Sequence, residues 1–480
     1  MSDSTNKGLD TKARDAEVKG FDTAALDRQL FGNDHMNQAQ WIEQDLDYIW
    51  HPCSQMKDYE TLKPIVIDRG QGSYIYDADG KEYIDIIGSW WCNLLGHCNP
   101  KINAAIKNQL DSLEHIIFAN LSHKPAVRLA KWLSTLVPKG LTKFHFSDNG
   151  SGAVECALKM AFQYQYQTGH PEKQKFMCLS EGYHGETIGA LSVGSMDLFA
   201  KIYKPMLMET VHTEAPDCYR CPYNKTRETC QCECFEKAEQ DFAKHGHELA
   251  AVIVEPVAGN MGCVPPVPGF LEALRELTKA HGSVLIFDEV MCGFRASAGG
   301  AQKKFGIKPD LTCLGKIVGG GMPMAVFGGR RDIMSCVAPA GPVYQAGTLS
   351  GNPIAMTAGL ATLSILQRDP TIFKRVEAIT TELCDGLRER AAKHGIPVQV
   401  QQVGSMFTLF FSDKPVRNFD DANACDMAAF TKFFRYCLEH GIYYAPSQYE
   451  SNFVSDKHSA RDVEHTLAVA DEAFALLAGK

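Results

Sequence analysis

Val284-Leu285-Ile286-Phe287-Asp288-Glu289-Val290 decides how this chain reads. Four apolar residues in a row suit a strand buried on both faces, the kind found in parallel sheets with helices on either side. Asp288 closes the run, and Lys316 follows 28 positions later inside Leu314-Gly315-Lys316-Ile317-Val318-Gly319-Gly320-Gly321. Ligands on such sheets lie beyond the carboxyl ends of the strands, where this pattern puts both side chains.

A strand-end acid or a lysine between glycines is ordinary alone. Together they suit a cofactor carrying a basic ring nitrogen and an aldehyde. The lysine amine would join the aldehyde and later carry the substrate's proton, so it has to be neutral near working pH, a state that burial favours. A carboxylate facing the ring nitrogen keeps it protonated, and the protonated ring accepts electrons from the Cα–H bond being broken. The cofactor with these properties is pyridoxal 5'-phosphate, with Lys316 and Asp288 as its catalytic partners.

Ser147-Asp148-Asn149-Gly150-Ser151-Gly152 opens a segment in which Val154, Ala157, Leu158, Ala161 and Phe162 recur at helical spacing. Free N–H groups at a helix start bind phosphate and glycine permits close approach, so Gly150 and Ser151 are the phosphate candidates. Tyr183, in Glu181-Gly182-Tyr183-His184-Gly185, is expected either to stack on the pyridine as part of the catalytic group or to be a core tyrosine. Val290 is expected on the opposite ring face and Asn260 at the ring hydroxyl.

Apolar runs alternate with helical periods beyond Asn99-Pro100: Lys143–Phe146, Lys175–Leu179, Ala250–Val254 and Val284–Phe287. Alternation of this kind predicts an α/β fold with a mostly parallel central sheet covered by helices. Ile65–Ile67, Ser73–Tyr76 and Tyr83–Asp85, with a turn signal at Asp77-Ala78-Asp79-Gly80, predict a small antiparallel element. Residues 1–40 are polar without a clear period and read as a flexible extension. The expected organisation is therefore 41–98 as the first part of a small lobe, 99–353 as a large cofactor-binding domain and 354–480 as a C-terminal small domain. The smaller α+β lobe would draw on both chain ends.

A chain of 480 residues with 45% hydrophobic and 22% charged residues has the composition of a globular protein of more than one lobe. The net charge of -9 offers no basic footprint for nucleic acid, which leaves small molecules as the expected partners. No apolar run approaches the roughly 18 residues of a membrane span, and the polar start lacks a signal-peptide core, so a cytoplasmic enzyme is expected. Seventeen cysteines then read as reduced thiols. Cys218, Cys221, Cys230, Cys232 and Cys234 cluster in an insertion (218–234); their spacing suits a tetrahedral thiolate metal site or, equally, a surface loop with free thiols.

Six motifs in order, SDNGSGAVE (147–155), EGYHGE (181–186), EPVAGN (255–260), LIFDEV (285–290), LGKIVGGG (314–321) and AGTLSGNP (346–353), resemble those of the class III pyridoxal-phosphate aminotransferases. The resemblance covers about residues 45–478. It implies a fold type I homodimer with its active site at the subunit interface, and Thr348 of one subunit on the phosphate of the other.

The two halves resemble different members of that class. Trp50-His51-Pro52-Cys53-Ser54-Gln55-Met56, Gly88-Ser89-Trp90-Trp91 and Gly182-Tyr183-His184-Gly185 are similar to the 7,8-diaminononanoate synthases of biotin biosynthesis. From about Glu255 onward the chain is similar to the glutamate-1-semialdehyde 2,1-aminomutases. Both carboxylate clamps are interrupted: Ala445-Pro446 stands where the synthase arginine is expected, and Gln55 near the aminomutase arginine. A carboxylate entering a dry pocket needs a paired donor, for which Arg417 and Arg435 are distant candidates.

Leu191–Phe199 resembles the synthase rather than the glycine- and serine-rich lid with which the aminomutase retains its intermediate. That favours exchange between a separate amine donor and an oxo acceptor such as 8-amino-7-oxononanoate, with Trp90 and Trp91 lining the acceptor slot. Glu450 matches an aminomutase residue near the substrate amine and keeps the aminomutase open as the alternative. A non-catalytic protein binding the cofactor or a metal is a third class.

Overall fold

The computed structural model describes residues 22–33, 35–51, 59–180, 182–194, 201–214, 233–259, 263, 265–416 and 419–479. These fall into two compact units. One comprises the described residues up to Arg69 together with Tyr76–Glu82; the other comprises Gly70–Ile75 and the described residues from Tyr83 onward. The boundaries expected at 98/99 and 353/354 fall inside the second unit, and we retain them as a proposed subdivision of it.

In the first unit, Thr23–Phe31 and Gln38–Tyr48 are helices. These helices lie partly within the stretch 1–40 read as a flexible extension, of which residues 1–21 are outside the described residues. The signal lay in the caps rather than in apolar period: the Asp22 carboxylate accepts from the Ala25 N–H at 3.0 Å, Gly32 closes the helix in the left-handed conformation, and Asn37 and Gln40 form a capping box.

The second unit is built on a seven-stranded sheet in the order Leu141–Ser147, Ala325–Arg330, Leu311–Leu314, Val284–Glu289, Leu249–Val254, Lys175–Leu179 and Thr210–Thr213. Neighbours from Leu311–Leu314 to Thr210–Thr213 are parallel; Ala325–Arg330 runs antiparallel to both of its neighbours. The sheet is thus mostly parallel, as expected, with one reversed strand. Every residue of Leu249–Val254 and of Val284–Glu289 is buried, which explains their unbroken apolar runs. One face packs against Gly150–Gln167 through Val154, Ala157 and Ala161, and the other against Phe270–Ala280 and Glu233–His245 through Leu271, Leu274 and Phe242.

Towards the C-terminus, a three-stranded sheet of Gln399–Val403, Met406–Phe410 and Asn452–Phe453 lies among the helices Thr371–His394, Met427–Glu439 and Ala460–Leu477. Ile442–Tyr443 pairs in parallel with Ile84 and Asp85, so segments from early and late in the chain do meet in one sheet. No helix among the described residues is long and apolar enough to cross a membrane.

Candidate active site

Successive residues on a strand face opposite sides of the sheet, and this separates the two acids that close Val284–Glu289. Asp288 turns toward a cavity at the strand's carboxyl end. Its Oδ1 accepts from the Val290 N–H at 3.0 Å, and its Oδ2 lies 2.7 Å from His184 Nδ1. Glu289, fully buried on the other side, accepts from the Ala301 and Gln302 N–H groups at 2.6 Å each and braces the short helix Gly300–Lys304.

The cavity, about 410 Å³, brings together Gly150, Ser151, Tyr183, Asp288, Val290 and Lys316, six of the residues expected from sequence. Volumes of this order suit a small-molecule ligand. Lys316 follows the strand Leu311–Leu314, is partly buried and has φ +51, a left-handed backbone that turns its side chain out of the strand's continuation. Burial holds its amine below the usual lysine range, although Asp288, Cys92, Glu255 and Glu450 pull the other way. A larger neutral fraction makes that amine a better nucleophile and base.

The helix Gly150–Gln167 is capped by Asn149, whose side chain accepts from the Gly152 N–H at 2.8 Å and leaves the Gly150 and Ser151 N–H groups at the helix start for a ligand. Glycine is needed here for space: a Cβ on Gly150 would lie 2.6 Å from Val290 Cγ1, and one on Gly315 would lie 2.9 Å from the same atom. Val290 is thereby seated between the phosphate-type turn and the lysine loop.

Two acid–base neighbours escaped the sequence reading. His184 is buried; burial pushes its imidazole down, but the hydrogen bond to Asp288 and the charges of Asp288 and Glu255 outweigh this and hold it above the ordinary histidine value. Glu255 accepts from the Tyr183 N–H at 3.0 Å and is pushed up to about 7, chiefly by burial and with Asp288 adding to it. Their placement depends on adjacent strand ends meeting, which no local pattern encodes; the signal available was that both motifs, EGYHGE and EPVAGN, follow strands of the parallel sheet.

The remaining expected residues are distributed differently. Trp91 does not line the cavity: it is 2% exposed, its Nε1–H donates to the Ser451 carbonyl at 2.9 Å, and its ring faces the Lys316 Nζ at 4.6 Å. Its ring also packs against Phe453 at 5.4 Å, and its expected place on a substrate slot is retained as a proposal. Trp90 is partly buried against the same cluster and likewise stands outside the cavity lining. Glu450 is partly buried, with Oε2 shielded from solvent and without a hydrogen-bond partner among the described residues; burial pushes it up to about 7 against the pull of Lys316.

Thr348 is exposed and away from its own chain's cavity, although Ser350 nearby donates to Asp148 Oδ1 at 3.1 Å on the cavity rim. Asn260, Gln55, Arg417 and Cys218, Cys221, Cys230 and Cys232 lie outside the described residues, as does the side chain of Cys234. Arg435 belongs to Met427–Glu439 and does not line the cavity.

The residues present fit pyridoxal phosphate on three grounds: a carboxylate facing the cavity, a helix start whose glycine makes room for close packing, and a partly desolvated amine. When bound, the cofactor supplies an aldehyde for the amine and an electron-accepting ring. Asp288 would face the ring nitrogen, Gly150 and Ser151 the phosphate, Tyr183 and Val290 the two ring faces, and Lys316 would move the substrate proton.

A family model, aminotransferase class-III, matches residues 55–455. A glutamate-1-semialdehyde 2,1-aminomutase 2 of Brevibacillus brevis is 42% identical over 411 residues, covering 86% of this chain and 91% of that protein. The crystal structure of adenosylmethionine-8-amino-7-oxononanoate aminotransferase from Methanocaldococcus jannaschii shares 30% identity with a TM-score of 0.78, covering 91% of this chain and 98% of that one. A thermostable 4-fold mutant of an omega transaminase from Pseudomonas jessenii is 24% identical with a TM-score of 0.82, the match covering 92% of this chain and 99% of that one, a likeness of fold alone.

The chain belongs to the class III aminotransferases. It has the fold type I architecture of pyridoxal-phosphate enzymes and is a pyridoxal-phosphate-dependent enzyme of the aminotransferase and aminomutase kind; the class acts on small molecules and is typically dimeric.

Proposed function

We propose that this enzyme moves an amino group from a separate amine donor to an oxo acceptor that carries a second amino group, as 8-amino-7-oxononanoate does. One observation carries this reading. The ionisable groups acting on Lys316 are Asp288, Cys92, Glu255 and Glu450, three of them carboxylic acids, and among the described residues lining the cavity there is no arginine. Arg295, nearby in sequence, is 2% exposed and donates to the carbonyls of Trp91 and Val454 instead. A pocket of this polarity suits the amine-bearing end of the acceptor, while its carboxylate needs a paired donor from outside this cavity lining. The 30% identity to the Methanocaldococcus jannaschii aminotransferase over most of both chains supports the same acceptor.

The second reading, a glutamate-1-semialdehyde 2,1-aminomutase, is favoured by the 42% identity to the Brevibacillus brevis protein and by Glu450. The two part on the need for a donor. The enzyme is expected to turn 8-amino-7-oxononanoate into 7,8-diaminononanoate in the presence of S-adenosylmethionine or another amine donor and to make little 5-aminolevulinate from glutamate-1-semialdehyde alone. Efficient 5-aminolevulinate formation without a donor would overturn the transaminase reading.

The proposal includes a homodimer in which Thr348 of the partner subunit reaches the phosphate, a role supported by the exposure of Thr348 on its own chain. A cytoplasmic location belongs to the same proposal and is supported by the seventeen cysteines expected to be thiols.

Glu450 also makes a prediction for stability. Its folded value near 7 is above the ordinary value of 4.5, so folding favours the protonated acid; that contribution is complete below about pH 4.5 and is lost as pH rises through 7. Glu450→Gln is therefore expected to gain roughly 1–3 kcal/mol on the wild type between pH 4.5 and pH 8. Denaturant unfolding of both proteins at the two pH values checks this, and an equal difference at both would contradict it.

A further inference from the structure

We propose that Trp91 is a positioning residue for Lys316: its indole face holds the lysine's ammonium whenever the amine is not joined to the cofactor. The Nζ stands 4.6 Å from the ring centroid, inside the range of about 6 Å over which a cation is drawn to an aromatic face. Trp has the strongest such face of the aromatic side chains.

Trp91 is held as a fixed surface. Its Nε1–H is tied to the Ser451 carbonyl at 2.9 Å, the Phe453 ring lies 5.4 Å away, and only 2% of the residue is exposed. Its backbone is the third of three successive non-glycine residues in the left-handed region: Ser89 at φ +48, Trp90 at +56 and Trp91 at +77. Such a run is costly and persists only where its surroundings impose it.

Here two buried charged groups impose it. Asp85 accepts from the Ile87 N–H at 3.1 Å and from the Ser89 N–H at 2.9 Å and hydroxyl at 3.0 Å, and Arg295 Nη2 donates to the Trp91 carbonyl at 2.8 Å. Asp85 and Arg295 are both 2% exposed. A buried guanidinium bonded to carbonyls, and a strained turn, converge on placing one ring against one amine.

A π-face has a chemical advantage over a further carboxylate in this place. It attracts the ammonium and cannot take its proton, so the amine is held without a competing base and leaves when it reacts. Asp288, Cys92, Glu255 and Glu450 also act on Lys316, so the ring adds to a field set by these four.

The inference rests on Lys316 being the cofactor lysine, which borohydride reduction and peptide mapping of the wild type test separately. The experiment uses holoenzyme converted by excess amine donor to the form in which Lys316 is free. Acetic anhydride labelling of Lys316, read by mass spectrometry across a pH series, is measured in chains carrying tryptophan or tryptophans of increasing fluorination. Fluorine weakens the ring face with little change of shape. Labelling at pH 7 is expected to rise stepwise, about threefold to tenfold over the series, because the charged form loses support.

The chain has five tryptophans, so the same series in Trp91→Phe is the control and is expected to be flat. Trp91→Phe should also label closer to wild type than Trp91→Leu does. If Trp91→Leu fails to fold, the fluorinated chains decide. Labelling that does not respond to fluorination in chains of unchanged melting temperature overturns the proposal, even when reduction attaches the cofactor to Lys316.

Discussion

Lys316→Ala is expected to abolish covalent attachment of pyridoxal phosphate and to lower kcat/KM by at least roughly 10²- to 10⁴-fold, the range lost with a positioned proton-transfer group. Two roles end together. The amine that joins the aldehyde is gone, and so is the base that moves the substrate proton. The partly buried amine, held below the usual lysine range by desolvation, serves both roles near neutrality, and alanine supplies neither. Lys316→Arg is expected to fail as completely, because guanidinium stays protonated at working pH. The readouts are the visible-edge absorbance band of the holoenzyme, peptide mapping after borohydride, and the rate of the donor half-reaction. Retention of the band with turnover within tenfold of wild type would move the chemistry to another lysine.

Asp288→Asn should cost roughly 10²- to 10³-fold in the donor half-reaction, the scale of losing one preorganised polar group aimed at developing charge. The substitution keeps size and an acceptor for the Val290 N–H, so the loss isolates the charge. It also replaces the charged partner of His184, 2.7 Å away, by a neutral amide. The wild-type imidazole is held above its ordinary value of 6.5, so the pair stabilises the fold fully below about pH 6.5, and that contribution fades as pH rises through the folded value. The variant's stability deficit should therefore be larger at pH 5.5 than at pH 8.5. A deficit that grows with pH, or a half-reaction rate unchanged from wild type, would refute the charge's assigned role.

How much of this was legible in the sequence varied by element. The run ending at Asp288 and the glycine-flanked Lys316 could be read because uninterrupted burial leaves an uninterrupted apolar run, and because the chemistry demands rare residue types in order. The reversed strand Ala325–Arg330 could not: Gly328 and Gly329 look like a turn. They are glycine because a Cβ at Gly328 would run into Phe144, and one at Gly329 into the Asp310 carbonyl, as neighbouring strands press together.

Leu311–Leu314, four residues long and entirely buried, is too short to show a period. At the site, Gly150, Ser151, Tyr183 and Val290 followed from strand-to-helix logic. His184 and Glu255 did not, since their meaning comes from neighbours 104 and 72 positions away in sequence. Trp91 was legible as an aromatic of interest, but its place against the lysine was not, since that depends on the left-handed backbone at Ser89–Trp91.

The opposite outlooks of Asp288 and Glu289 set a rule of parity for their strand. Sliding the segment by a single residue would turn each acid to the opposite face, putting either Glu289 in the place of Asp288 at the cavity or Asp288, a methylene too short, in the place of Glu289 at the N–H groups of Ala301 and Gln302. A slide by two would keep each acid's sidedness. Grafts or loop transplants that join this strand to a foreign helix therefore have to conserve whether an odd or an even number of residues separates the junction from Asp288, even where overall length is free to change.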